Sequence, residues 1–571
     1  MRHPSSRHAA RLLLPVLTLA LACGGSSPSA LDKAASSDGG YSTGGPAGYS
    51  GCMQDSDCPT GLVCQNNQCV DSQGLPPEQE SNNTFLQPQT SDHFVFVLSP
   101  DASTVAIINP TNLAITSVVL PTEPLALAVV PHQDAAVIVS HTGAAVSFIQ
   151  VEAGKTTLRS QSTPRHYPAV ALSPDGKWAV LWTPDGAHPD AGAEGIVGFV
   201  DVQALQAGTP APVIERAAGR QLTDVYFRVS GGVATDAVLV GQDEVAVMPL
   251  ADPASVPVPD RVAIPDGYTD LSTRAAVAPP DGQTVLLRSL ATSALAVFDV
   301  QSRSFTTLSL PAPATDLDLA ADGSTAVAVI RSTSQVVWFP LPGALTDSSL
   351  VKTATIELPA ENCPSNETPP CVAAAGQSVL SPDGTVAALF TNARDTKSFA
   401  TLNLATGDIT VFSRLEKLVD TLGIGPDSHS LVVLHKPQPN STAADPYQRW
   451  ADPQQGFSVV DLDRGIAQTD LTGSVPPQQF VFAADGQHAA VTLSDDSQHV
   501  YQVEAIDLST LVATPLDLAS APQYAGALPG NGGTAVWVTQ KHPAGRISFV
   551  DLAAGTVRTA TGYDLNSEIS P

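Results

Sequence analysis

Positive charge is scarce in this chain. Lys and Arg together number 27 against 55 Asp and Glu in 571 residues, a net charge of −28. A nucleic-acid face needs clustered cations to neutralise phosphates, so that class of partner is excluded. Electrostatic docking onto anionic lipid is excluded on the same ground. The acid excess fits instead a soluble exported surface. Charged residues of both signs make up only 14% of the chain, too few for long solvent-laced helices. No apolar run of 18 residues occurs after the N-terminal stretch, so no later segment reads as a membrane-spanning helix. Neither His-x-His nor His-Glu-x-x-His is present, and no P-loop, Gly-x-Ser-x-Gly elbow or dinucleotide fingerprint stands out. No residue is therefore assigned a catalytic or metal-binding role, and no cofactor is named. What the chain has in quantity is Gly (42), Pro (48) and short Val/Thr/Ala runs. Turn formers alternating with strand formers point to an all-β protein.

The first residues read as an address. Arg2, Arg7 and Arg11 precede the apolar residues 12–21, and Ala20-Leu21-Ala22-Cys23-Gly24 follows. Small residues before a cysteine resemble the bacterial lipobox, with Ala20 where the consensus prefers Leu. The resemblance implies a signal peptide over 1–22 and lipidation of Cys23. It also implies a lipid-anchored, extracytoplasmic chain in the cell envelope, sorted to the outer membrane because Gly24 and not Asp follows the cysteine. An ordinary cleavage after Ala22 is the alternative. Residues 23–50 are Gly/Ser-rich and read as a disordered, flexible tether.

Removing Cys23 from the seven cysteines leaves six, an even number suited to an oxidising compartment. Cys52, Cys58, Cys64 and Cys69 crowd into GCMQDSDCPTGLVCQNNQCV within residues 51–71. Their spacing is too long for the usual zinc pairs and leaves three disulfide pairings open. Asp55 and Asp57 lack the glycine and terminal glutamate of a calcium loop. The stretch resembles Dickkopf-like cysteine-rich modules, which implies a disulfide-rich knot and no activity. Cys363 and Cys371 flank a Pro-rich stretch and are spaced to close a small surface loop. Residues 72–91 carry no period and read as a linker.

From residue 92 to the end one unit returns. An apolar strand runs into a tight turn: ALSPDG at 171–176, VAPPDG at 277–282, LAADG at 319–323, LSPDG at 380–384, FAADG at 482–486. Pro presets φ, Asp bonds the backbone beyond it, and Gly takes the left-handed position. A second apolar strand follows at once. A third ends in GFVDV, AVFDV, SVVDL, EAIDL or SFVDL, and a fourth completes the unit. Turn marks lie 41 residues apart from Asp281 to Asp322 and 61 from Asp322 to Asp383. Four short antiparallel strands at this period predict a β-propeller, here of about 8–10 blades over 92–571. One ring is the expected form, and two smaller rings in tandem the alternative. The first unit, HFVFVLSPDASTVAIIN, opens on its second strand, so a strand from residues 561–569 is expected to close the ring.

The repeat resembles the YVTN-type propellers, whose units read apolar strand, Ser-Pro-Asp-Gly, apolar strand and Val-x-Val-Ile-Asp. The resemblance is to a WD40-like architecture without the Trp-Asp dipeptide, and it implies a fold and no activity. The repeat aspartates, including Asp175, Asp281, Asp322, Asp383, Asp427 and Asp485, read as turn-makers. The column Asp299, Asp461, Asp507 and Asp551 reads as backbone-bonding.

Loops between second and third strands, and between blades, share one face of a propeller. The long insertions 183–195, 436–455 and 359–375 belong there, while 341–352 and 251–260 do not. In KPQPNSTAADPYQRWADPQQG (436–456), Tyr447, Arg449 and Trp450 stand together. These types dominate binding hot spots. Packing of Trp450 onto the blade beneath is the alternative. The expected function is a membrane-anchored, non-enzymatic binding platform with a protein or glycan ligand on the long-loop face. The alternative is a propeller enzyme with a channel-mouth site, either a lactonase-like hydrolase or a quinoprotein-type oxidoreductase.

Overall fold

The computed structural model describes residues 62–65, 68–71, 84–140, 144–184, 195–361, 370–413 and 415–563. The chain divides into two units, Met1–Ser81 and Asn82–Pro571. In the first, Leu62–Gln65 and Gln68–Asp71 pair as an antiparallel hairpin that sets Cys64 opposite Cys69. No helix among the described residues is long and apolar enough to cross a membrane.

The second unit is built from ten four-stranded antiparallel sheets. They are blades 1 (89–119), 2 (124–162), 3 (169–217), 4 (224–263), 5 (274–309), 6 (316–355), 7 (377–412), 8 (418–473), 9 (477–517) and 10 (522–561). Each blade is drawn from contiguous sequence. A separate two-stranded hairpin, Glu357–Pro359 with Val372–Ala374, sits between blades 6 and 7.

Burial follows strand position. Second and third strands such as Val95–Ser99 and Thr104–Ile108 are buried along their whole length. Both faces of each sheet are covered, which is why these strands read as unbroken apolar runs and not as alternation. First strands such as Ala169–Leu172 are half-buried and come close to their counterparts in adjacent blades, lining the central channel. Fourth strands such as Ser304–Ser309 are largely solvated.

Apolar side chains between neighbouring sheets form ten clusters, one per interface. Phe96 and Ile138 join blades 1 and 2, and Phe199 and Leu239 join blades 3 and 4. The tenth cluster joins blade 10 to blade 1 through Trp537, Phe549, Val95, Val97 and Tyr563. Phe85 meets Tyr563 edge-on at 5.1 Å, and Arg558 Nη1 donates to the Thr111 carbonyl at 2.8 Å. One closed ring results, and the two-ring alternative falls.

The expected strand exchange falls as well. Blade 1 has its own short first strand, Gln89–Thr90, within the stretch read as linker. Blade 10 ends on its own fourth strand, Thr556–Thr561. Two residues carry almost no apolar signal, so the sequence could not announce that strand. Residues 564–569 lie outside the described residues.

The aspartates act as turn-makers. Asp281, Asp322 and Asp485 each accept from the backbone N–H two residues on, at 2.9–3.0 Å. Asp299, Asp461 and Asp551 accept from the N–H three residues on, at 2.6–3.0 Å. The turn glycines do more than permit a positive φ. A Cβ on Gly323 would lie 2.3 Å from Pro279 in the preceding blade, and one on Gly282 only 2.1 Å from the Phe227 carbonyl oxygen. Blade 8 has Ser428 in this position at φ 64°, and its hydroxyl accepts from the Asp383 N–H of blade 7 at 3.2 Å. The turns thus bolt successive blades together on one face.

Gly465 has φ 61°, close to the 60° of Gly282, but nothing lies within 4 Å of its Cβ position. Both Gly→Ala variants meet the left-handed cost of roughly 1–2 kcal/mol. Only Gly282→Ala must also push two blades apart. Calorimetry is expected to show a fall in Tm for Gly282→Ala at least twice that for Gly465→Ala.

Candidate functional site

The long-loop face carries a built feature over blades 6 to 8. Strand Ser430–Lys436 leaves blade 8 and returns as Gln455–Asp461, with the predicted loop between. Inside the loop is a short helix, Pro446–Ala451. Asp445 caps it by accepting from the Tyr447 N–H at 3.1 Å, and Pro446 occupies the first turn, where no N–H is needed.

Beneath the helix lies a polar core. Asp452 is buried, and its carboxylate accepts from Lys397 Nζ at 2.8 Å, from the Ser441 hydroxyl and from the Gln448 amide. Burial pushes the Asp452 carboxyl up, but the bonds from Lys397, Ser441 and Gln448 outweigh it and hold the group below the ordinary range. Lys417 is 1% exposed and donates to the carbonyls of Ala451 and Asp452 at 2.9 and 3.1 Å. Burial pushes its ammonium down to about 8, and the Asp452 charge offsets part of that. His435 is buried and pushed down to about 3 by desolvation, so it is neutral. Its Nδ1–H donates to the Leu418 carbonyl at 3.1 Å, and Nε2 accepts from Ser458 at 2.7 Å.

Neighbouring segments lock onto this core. Thr396 of the blade 7 loop donates to the Pro359 carbonyl at 2.7 Å, and Arg394 to that of Val372 at 2.7 Å. Lys436 pairs with Asp395 at 2.9 Å. The hairpin, the blade 7 loop and the blade 8 loop therefore form one interlocked cap.

Outward from the cap stand Tyr447 (49% exposed) and Trp450 (58% exposed), their rings 5.7 Å apart and tilted by 42°. Tyr447 donates to Glu416 Oε2 at 2.9 Å, which pushes the phenol up. Arg449 is exposed on the same helix. All three predicted binding residues thus share one helical turn, and Trp450 does not pack onto the blade beneath. The sequence offered no sign of the anchors Lys397, Lys417 and Asp452. Lys397 and Asp452 lie 55 residues apart and belong to no motif.

Of the cysteines singled out from the sequence, Cys371 belongs to the cap, directly before its hairpin strand Val372–Ala374. Cys371 is buried and disulfide-bonded. Cys23, Cys52, Cys58 and Cys363 lie outside the described residues, and the side chains of Cys64 and Cys69 are not described. On the channel wall, Asp316 accepts from the Ser378 N–H at 2.8 Å and Asp318 from the Ser378 hydroxyl. Burial pushes Asp316 up, and the bond from the Ser378 N–H and the Arg288 charge offset part of that. Arg274 likewise offsets the burial of Asp224. Among the described residues no three His, Cys, Asp or Glu side chains come together as metal donors. On the opposite, tight-turn face, a cavity of about 220 Å³ opens between blades 10 and 1. Its polar groups are largely engaged: Arg558 on Thr111, Asp551 on the Ala554 N–H, and His93 on Asp134 at 3.0 Å.

Removing one partner of a buried ion pair costs about 3–5 kcal/mol. Lys397→Met is expected to free the cap while leaving the ring intact. Limited proteolysis should then cut within 437–454 at least tenfold faster, with Tm of the main transition little changed.

No protein-family model and no curated protein matches the chain. Solved structures do resemble it at the level of fold. A structure of the eukaryotic initiation factor is 10% identical, with TM-score 0.47, covering 85% of this chain and 97% of that one. Dihydro-heme d1 dehydrogenase NirN, in complex with DHE, is 14% identical with TM-score 0.39, covering 78% and 81%. Hydrazine synthase of Kuenenia stuttgartiensis is 13% identical with TM-score 0.31, covering 51% and 80%. The chain is an all-β protein with a ten-bladed propeller.

Proposed function

We propose that the chain is a lipid-anchored, extracytoplasmic binding protein that presents the Tyr447–Trp450 helix to a protein partner. One observation carries the reading: two large aromatic rings stand in solvent on a helix fixed from below by a buried, hydrogen-bonded ion pair. Exposed aromatics cost solubility, and a fixed platform lowers the entropy lost on binding. Trp, Tyr and Arg are the types that carry interface energy. A protein ligand is favoured over a glycan because the rings lie on a projecting helix beside Glu416, Asp445 and Arg449, a mixed-charge rim suited to another protein. The channel-mouth enzyme reading has less support, since Asp224, Asp316 and Asp318 are engaged by Arg and Ser or Thr neighbours. The anchoring half is supported by Arg2, Arg7 and Arg11, the apolar residues 12–21 and Cys23 followed by Gly24.

The test is capture from detergent-solubilised membranes with the intact chain and with Tyr447→Ala/Trp450→Ala. Recovery of the specific partner should fall at least tenfold, as two hot-spot losses of roughly 2 kcal/mol each imply. An unchanged set of captured proteins overturns the platform. Radiolabelled palmitate should enter the wild type but not Cys23→Ala, and label retained by that variant overturns the anchor.

A further inference from the structure

The interface between blades 8 and 9 contains two acids that face each other. In the third strand of most blades, the residue three before the terminal Asp or its equivalent points at the preceding blade. In blades 2, 8 and 10 it is a serine whose hydroxyl bonds the residue directly across on the fourth strand: Ser147 with Ser160 at 2.7 Å, Ser458 with Thr469 at 2.8 Å, Ser548 with Thr559 at 2.7 Å. Blade 9 breaks the pattern. Glu504 holds the position and Pro515, which has no donor, lies opposite. Glu504 shares a face with Ile506, which packs between blades 8 and 9, so it points at blade 8. From the other side, Asp470 lies opposite Phe457 of the same cluster, so it points at blade 9.

Among the described residues neither acid is paired with a cation. Glu504 is 9% exposed and makes no hydrogen bond among the described residues, and Asp470 Oδ2 is buried without a partner. The other groups facing them are apolar or already engaged. Blade 8 contributes Val432, Leu434, Phe457 and Val459, and Gln468 hydrogen-bonds Asp470, which offsets part of its burial. Blade 9 contributes Ala489, Val491 and Leu493, and at its rim Gln502 donates to Asp517 at 2.9 Å. Arg464, at the turn end of this interface, is held by Asp461 and the Ser509 carbonyl. Two carboxylates facing an apolar seam without a cation cannot both ionise cheaply.

We infer that Asp470 and Glu504 form a proton-linked join: a proton carried by the pair keeps blades 8 and 9 closed, and its loss loosens that one seam of the ring. Burial, then the Asp470 charge, pushes Glu504 up to about 7, and burial raises Asp470 too. The sign follows. A carboxyl raised in the fold contributes stability that is complete below its unfolded value of about 4.3 and is lost as pH rises through its folded value. The join is therefore tight in mild acid and weak in mild alkali.

The test compares wild type with Glu504→Gln, which keeps the shape and cannot ionise. Their Tm values should coincide at pH 4.5, and at pH 8 the variant should exceed wild type by roughly 2–5 °C. Amide exchange in 466–473 and 500–507, corrected for intrinsic rate, should speed up at pH 8 in wild type only. Infrared difference spectra supply a reading that does not depend on the stability of a variant. A protonated carboxyl band should titrate out of wild type near neutrality, and in Asp470→Asn it should titrate at lower pH. Parallel Tm curves, or a wild type with no protonated carboxyl at pH 6, overturn the join.

Discussion

No blade of this protein can bury its own two faces. A four-stranded sheet of short strands leaves both sides apolar, and only another sheet on each side removes them from water. The whole fold depends on that condition being met ten times, the last time between chain ends more than 400 residues apart. The pairing of Trp537 and Phe549 with Val95 and Val97 is therefore not one contact among many. It turns a row of sheets into a ring and leaves no apolar face open.

Much of this was legible because the physics repeats. A turn needing Asp and Gly at fixed offsets, followed by strands covered on both faces, writes the same text wherever it occurs. Gly282 and Gly323 could be read as turn residues, while their second role, letting the next blade approach, needed three dimensions. The first strand of blade 1 was illegible for the opposite reason. Gln89–Thr90 is held by backbone pairing to Val95 and Phe96 and has no apolar side chain to betray it.

The cap over blades 6 to 8 divides in the same way. Tyr447, Arg449 and Trp450 stood out because aromatics are rare in polar loop text. Their support did not, because Lys397, Lys417 and Asp452 come from three separate segments and meet only after the blades align. Long-range polar cores obey no local period. The substitution of Glu504 and Pro515 for a hydroxyl pair is an intermediate case: the alignment of repeats reveals the exception, and the packing of blade 8 gives it a consequence.

The self-contained blade has an evolutionary implication. Since among the described residues blade 10 lends no strand to blade 1, each segment of some 40 to 60 residues is a complete module whose hydrogen-bond ladder crosses no boundary. Duplicating or deleting one such segment in the gene rewires no ladder. It alters only the pitch at which neighbours lean, so ring size in such a chain can change by whole-module gain or loss.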